Sequence, residues 1–206
     1  MADKQVIISI SREFGTGGHL IAERIAKDLD ISLYDRSLLD EIAKEKGVDV
    51  ENLEKYDEKP KIMLFSRRVN GYSNAMEDAL VEMQSDFLRK KADSGESFVV
   101  VGRCAETALK GRSGLITIFI LGDREMRLKT VKKRFGLSDK EAKSKMMRHD
   151  AKRKVYHNRH SDRKWGDSRG YDLCINDSKL GINKTVELIE MYIQERLKGI
   201  DADDVL

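Results

Sequence analysis

The sequence predicts a doubly wound α/β domain built on a parallel sheet of about five strands. Two observations carry this. Apolar runs at residues 6–10, 98–101, 116–121 and 173–175 do not alternate cleanly, so both faces of each strand are expected to be buried, as in a parallel sheet beneath helices. Helical stripes fill the intervals, and strand alternating with helix is the pattern of this architecture. The 206 residues suit one domain, or one core carrying a small mobile subdomain, and 40% hydrophobic content is enough for a packed interior.

Taken in order, the first strand (6–10) runs into a glycine-rich loop, and Ile21, Ile25 and Leu29 then mark one face of a helix. A short apolar run at 31–34 follows, and Leu38, Leu39, Ile42 and Ala43 make the next helical stripe. Residues 49–61 are polar, hold the single proline, Pro60, and read as a connector; 62–92 read as one or two helices. After the strands at 98–101 and 116–121, Leu128, Val131 and Phe135 form a third stripe. Ser138 and Glu141 form a capping box that starts another helix. Its continuation, residues 145–166, has little apolar stripe, is strongly basic and reads as a solvated or mobile element. The last strand leads to a helix carrying Val186, Ile189, Ile193 and Leu197, stopped by Gly199.

Charged residues reach 36%, but 39 Lys and Arg against 36 Asp and Glu leave a net charge of only +3. A global cationic field for nucleic acid is therefore not expected, and a nucleic-acid partner is disfavoured. No stretch approaches the roughly 20 apolar residues of a membrane span, and the first ten residues lack a signal peptide's layout. Cys104 and Cys174 stand at neither metal-ligand nor redox spacing, which suits buried, reduced thiols in a cytoplasmic protein.

The loop Ser11-Arg12-Glu13-Phe14-Gly15-Thr16-Gly17-Gly18-His19 lies between a strand and a helix, the arrangement that turns backbone N–H groups toward a phosphate. Its plain alternative is a tight turn without ligand. Gly15 and Gly17 fit the first two positions of the dinucleotide fingerprint, with Asp35 where a ribose-binding acid would sit, but Leu20 occupies the third. The long lead-in suits a P-loop, GxxxxGK[ST]. With Gly17 on its second glycine, Arg12 stands at the first, Gly18 at the lysine and His19 at the Ser/Thr. The cradle is kept and its ammonium group is lost.

ISREFGTGG (10–18), YDRSLL (34–39), VVGRCAE (100–106), Asp150, Arg153 and Tyr156, and WGDSRGYDLCIND (165–177) together resemble the cytidylate kinase-like family, a branch of the P-loop nucleoside monophosphate kinases. The resemblance spans nearly the whole chain in order. It implies a P-loop NTPase core (1–35, 96–136 and 170–200) with a five-stranded parallel sheet flanked by helices, an NMP-binding insertion at about 36–95 and a helical lid at about 137–165. It implies ATP with Mg²⁺, and a nucleoside monophosphate acceptor, CMP or dCMP first. The implied ATP-binding residues are Gly15, Thr16, Gly17, Gly18 and His19, and the implied acceptor-binding residues are Asp35, Arg36, Arg103 and Asp150. Cys104 replaces the aspartate of the family's G-R-D motif, and Glu41 stands where an arginine is expected.

Phosphoryl transfer needs a phosphate cradle and cations that neutralise the moving group. Arg12 is the candidate for the missing lysine, and Arg148 and Arg153 are candidates for a clamp, Arg153 sharing a helix face with Asp150. Each has a plain alternative: a surface ion pair for Arg103, a helix cap for Asp35, a solvated charge face for Arg148 and Arg153. His149, His157 and His160 have no i, i+4 pair and no arranged acids, so no metal site is expected. Trp165 reads as a packing anchor. A nucleotide-binding sensor that has lost transfer, or a kinase of another small acceptor, stays open beside the nucleotide kinase.

Overall fold

The computed structural model describes residues 5–35, 37–46 and 74–199. Five strands, β1 (Ile7–Arg12), β2 (Ser32–Tyr34), β3 (Phe98–Val101), β4 (Leu115–Leu121) and β5 (Leu173–Asn176), form one parallel sheet in the order β2-β3-β1-β4-β5. The helices between them are α1 (Gly18–Asp28), α2 (Leu38–Lys46), α3 (Asn74–Asp93), the single turn α4 (Ala105–Ala108), α5 (Arg124–Phe135), α6 (Asp139–His160) and α7 (Asp177–Lys198). α7 is broken at Gly181, whose φ is 73°. α4 carries no sequence signal, since four residues are too short to show a stripe.

The strands are buried on both sides. Ile8 and Ile10 join Val99, Val101, Ile116, Ile118 and Ile120 beneath α1 and α7. Ile7, Phe98 and Val100 face the other way, onto Tyr34, Leu38, Ile42, Phe87 and Leu88. Each such side chain contributes roughly 1.5–3 kcal/mol when removed from water, so the sheet dominates the stability. On the second face β1 also buries two hydroxyls, Ser9 and Ser11, between hydrophobic neighbours. A serine buried in a central strand needs a polar partner, and for Ser9 that partner lies in the site described below.

The basic helix α6 differs from its expected role as a solvated element. Ala142 and Met146 pack with Val131 of α5, and Tyr156 and His157 are buried at its other end. Its capping box forms as predicted, with Glu141 N–H donating to Ser138 Oγ at 3.4 Å and Ser138 N–H donating to Glu141 at 2.9 Å. The stripe is hard to read in the sequence because its inward residues are largely polar: Asp150, Arg153 and His157 recur at helical spacing. Neither cysteine is in a disulfide; Cys104 is buried and burial pushes the Cys174 thiol up. Among the described residues no helix is long and apolar enough to cross a membrane. Arg36 and the connector at 49–61 lie outside the described residues.

Candidate active site

The glycine loop leaves the carboxyl end of the central strand β1, where doubly wound sheets bind ligands. Glu13 N–H donates to Ile120 O at 3.0 Å, extending the pairing with β4 by one residue before the chain turns. Gly15 has φ +89°, and a Cβ there would come within 2.9 Å of a Val131 methyl and 3.0 Å of the Arg127 carbonyl, so α5 and the backbone together admit only glycine. The Thr16 hydroxyl donates to Glu13 O at 2.9 Å and closes the loop. α1 then starts with no side-chain cap at Gly17.

Gly18 and Arg12 are coupled. A Cβ on Gly18 would stand 2.7 Å from Arg12 Cβ and 3.0 Å from its Cγ. The stem of Arg12 therefore crosses the place where an ordinary P-loop lysine would begin. Loss of one side chain makes room for the other.

Acidic groups hold this loop from two sides. Gly17 N–H donates to Asp177 Oδ2 at 2.5 Å, and Phe14 N–H donates to Asp150 Oδ1 at 2.7 Å. Arg127 ties the second contact down: its buried guanidinium donates to Phe14 O at 2.8 Å, pairs with Glu13 at 3.0 Å and also pairs with Asp150. Glu13 in turn accepts from Gly122 N–H at 3.0 Å. Burial pushes the Asp177 carboxyl above the ordinary carboxylate range, with the Gly17 amide pulling it back down.

Beside the loop is a cavity lined by Arg12, Arg103, Arg153, Tyr156, His157 and Trp165. Three predicted cations thus come together from β1, the end of β3 and α6. Arg153 is set by a 3.1 Å hydrogen bond from its Nη1 to Arg12 O and lies 5.6 Å from the centre of the Phe14 ring. Arg103 is 5% exposed and sits in a left-handed turn, with Gly102, Arg103 and Cys104 at φ 78°, 63° and 51°. Two consecutive non-glycine residues with positive φ are strained, an arrangement that persists only where the surroundings enforce it.

Below Arg103 lies a buried pair. His157 Nε2 is 2.7 Å from Glu106 Oε1, with side chains 5% and 3% exposed, and Ser9 Oγ donates to Glu106 Oε2 at 3.3 Å. This is the partner required by the buried serine. Tyr171 stands close by, its hydroxyl pushed up to about 12 by burial and by the Glu106 charge.

The other predicted residues lie elsewhere. Arg148 is exposed on α6 and does not line the cavity. His19 pairs with Glu23 at 3.2 Å and approaches Asp35 at 3.5 Å, while Asp35 Oδ1 accepts from Ser37 N–H at 3.0 Å as the chain enters α2. His149 stacks on Phe14 at 4.2 Å, and burial beside Arg153 pushes its pKa down. Trp165 meets Phe119 edge-on at 5.3 Å, as a packing anchor does. Sequence reasoning missed Glu106, His157, Arg127 and Asp177. His157 carried one signal: it follows Asp150 and Arg153 at i+7 and i+4, on one face of α6. Among the described residues no group of three or more His, Cys, Asp or Glu side chains could hold a metal ion.

Comparisons with known proteins agree with this fold. The model of the cytidylate kinase-like family matches residues 7–179. An uncharacterized protein from Eubacterium ventriosum ATCC 27560, known from its crystal structure, is 39% identical over 92% of this chain and 99% of its own, with a TM-score of 0.74. Shikimate kinase from Acinetobacter baumannii, solved in complex with shikimate, is 14% identical over 97% of each chain, with a TM-score of 0.53. Shikimate kinase from Bacteroides thetaiotaomicron is 14% identical over 92% of this chain and 98% of its own, at 0.52. The last two share the fold alone. Among curated proteins none matches the chain.

Proposed function

Since the chain belongs to the cytidylate kinase-like family, we propose that it transfers the γ-phosphoryl group of ATP to a small anionic acceptor held in the arginine-lined cavity. The observation that carries this is the convergence of Arg12, Arg103 and Arg153 on one cavity next to the glycine loop. In the reading, the loop from Gly15 to His19 cradles the ATP phosphates, and Arg12 supplies the charge a P-loop lysine would bring. Arg153, held by Arg12 O, moves with α6, which acts as the lid; Asp150, on the same helix face, ties that helix to the loop through Phe14 N–H and Arg127. Arg103 takes the anionic group of the acceptor. Asp35 and Arg36 belong to the acceptor side through the resemblance, and Arg148 closes the lid's outer edge.

Such transfer is catalysed mainly by positioning and charge neutralisation, which fixed guanidinium groups provide well. Mg²⁺ fits here only as the counter-ion of ATP, because the Ser/Thr position is His19 and the Thr16 hydroxyl is committed to Glu13. When bound, it neutralises phosphate charge. The reaction belongs in the cytoplasm, with its ATP.

CMP and dCMP are the acceptors the family names, and they head the test panel. The assay is ADP release from ATP–Mg²⁺ with nucleoside monophosphates and other small anions; turnover dependent on one acceptor is expected, and none with any acceptor removes the reading. A second reading, a nucleotide-binding sensor without transfer, draws on Asp150 and Asp177 already occupying two loop amides. Tight ATP binding without turnover would select it.

A further inference from the structure

The buried pair below the arginines is not required by transfer onto a phosphate group. A monophosphate acceptor is already an anion at neutral pH, so it has no proton to lose before attack. A fixed acid–imidazole pair nonetheless backs the cavity, with His157 in its lining and Glu106 behind it. Glu106 is held at both oxygens, by Ser9 Oγ at 3.3 Å and His157 Nε2 at 2.7 Å. With Glu106 accepting at Nε2–H, the neutral ring keeps its lone pair on Nδ1. That atom is buried and has no hydrogen-bond partner, and His157 lines the cavity. A bare imidazole lone pair attracts an O–H and repels a phosphate oxygen. The charged and titratable groups of the cavity lining and beside the pair are Glu106, Arg12, Arg103, Cys104, Arg153, Tyr156 and Tyr171. The guanidiniums suit the acceptor's negative group; none can take a proton.

We infer that the accepting atom is a hydroxyl oxygen of a small anion, with His157 as its general base and Glu106 as the residue that positions His157. The acceptor oxygen gives its proton to Nδ1 as it bonds to the γ-phosphorus of ATP. The bond from that phosphorus to the β–γ bridging oxygen breaks, and its electron pair leaves with ADP. The proton passes from His157 to solvent once the phosphate monoester departs. This rests on the phosphoryl-transfer reading and, within it, selects hydroxyl acceptors over phosphate acceptors.

The test incubates the protein with ATP–Mg²⁺ and a panel of hydroxycarboxylates and sugar phosphates beside CMP and dCMP, and identifies products by ³¹P NMR. A phosphate monoester is expected, not a diphosphate. His157→Gln should lower kcat about 100-fold, the span of general-base catalysis, with the melting temperature held. Acceptor KM should change little in the variant, because the guanidiniums that hold the anion are untouched, so the loss falls on kcat. Glu106→Gln, nearly isosteric, should show a smaller loss of kcat with acceptor KM held, and it carries the test if His157→Gln does not fold. A diphosphate made from CMP, or a monoester made at the wild-type rate by His157→Gln, overturns the inference and leaves phosphoryl transfer standing. No product with any acceptor removes the transfer reading and this inference with it.

Discussion

The ends of β1 and β3 lie side by side at the carboxyl edge of the sheet, and both chains leave it through left-handed backbone, by opposite means. After β1 the positive φ falls on Gly15, at a point where α5 leaves no space for a side chain. After β3 it falls on Arg103 and Cys104 as well as Gly102, although a non-glycine residue there costs about 1–2 kcal/mol. The first turn brings backbone against α5; the second sets a buried guanidinium in the cavity lining. One strand end therefore presents backbone and the adjacent one a cation, the division of labour that the proposed phosphoryl transfer requires.

The largest test of this division is at Arg12, which belongs to the first strand end yet supplies charge in the proposed mechanism. Arg12→Ala should raise the barrier to transfer by ~2–4 kcal/mol, the usual loss for a transition-state charge contact, as measured by kcat/KM in the coupled assay. If kinetics are unchanged, the cation at this end comes from another residue and the exchange between Gly18 and Arg12 is only packing.

The next effect distinguishes an aimed arginine from a structural one. Arg103→Gly removes the guanidinium and releases the strained φ of 63° together. Acceptor KM should rise about tenfold, near the ~1.5–3 kcal/mol of a charge-assisted hydrogen bond, with kcat largely kept. The melting temperature should stay within a few degrees, because relief of strain offsets the lost contacts. A steep fall in melting temperature with KM unchanged would make Arg103 a pillar of the turn and end its ligand role.

The same contrast explains what could be read from the sequence. The first strand end was legible because its constraint is written in glycines: Gly15, Gly17 and Gly18 announce close backbone approach. The sheet was legible because its strands are continuous apolar runs, and the capping box because Ser138 and Glu141 are its only requirement. The second strand end was legible only through resemblance, since nothing in Arg103 and Cys104 signals a left-handed turn. Glu106 and His157 were hidden for another reason. They are 51 residues apart, and the pairing exists only once α6 crosses the end of β3. Arg127, Asp177 and Glu13 are ordinary charged residues in sequence, made into loop supports by the fold. α6 read as solvated because periodicity counts apolar residues, whereas this helix docks through polar ones.

The smallest effect concerns the amides themselves. Asp177 presents a carboxylate to Gly17 N–H, inside the loop that receives the phosphates of ATP in the proposed function. Asp177→Asn keeps an acceptor for that amide and removes the charge. ATP affinity, followed by calorimetry, should tighten about fivefold to tenfold, corresponding to ~1 kcal/mol of repulsion between partly screened charges. The pH dependence has a definite sign. Burial raises the folded pKa of Asp177, so the carboxyl takes up its proton earlier in the native chain than in the unfolded one as pH falls. Protonation removes the repulsion, and wild-type affinity should climb toward that of the variant as pH is lowered through the raised value. The folded state is likewise burdened by this carboxylate above that value and free of the burden below the unfolded one, so the variant's stability advantage belongs to the higher pH range. Equal affinities at every pH would place the phosphates away from Gly17 and leave Asp177 as a cap on the loop alone.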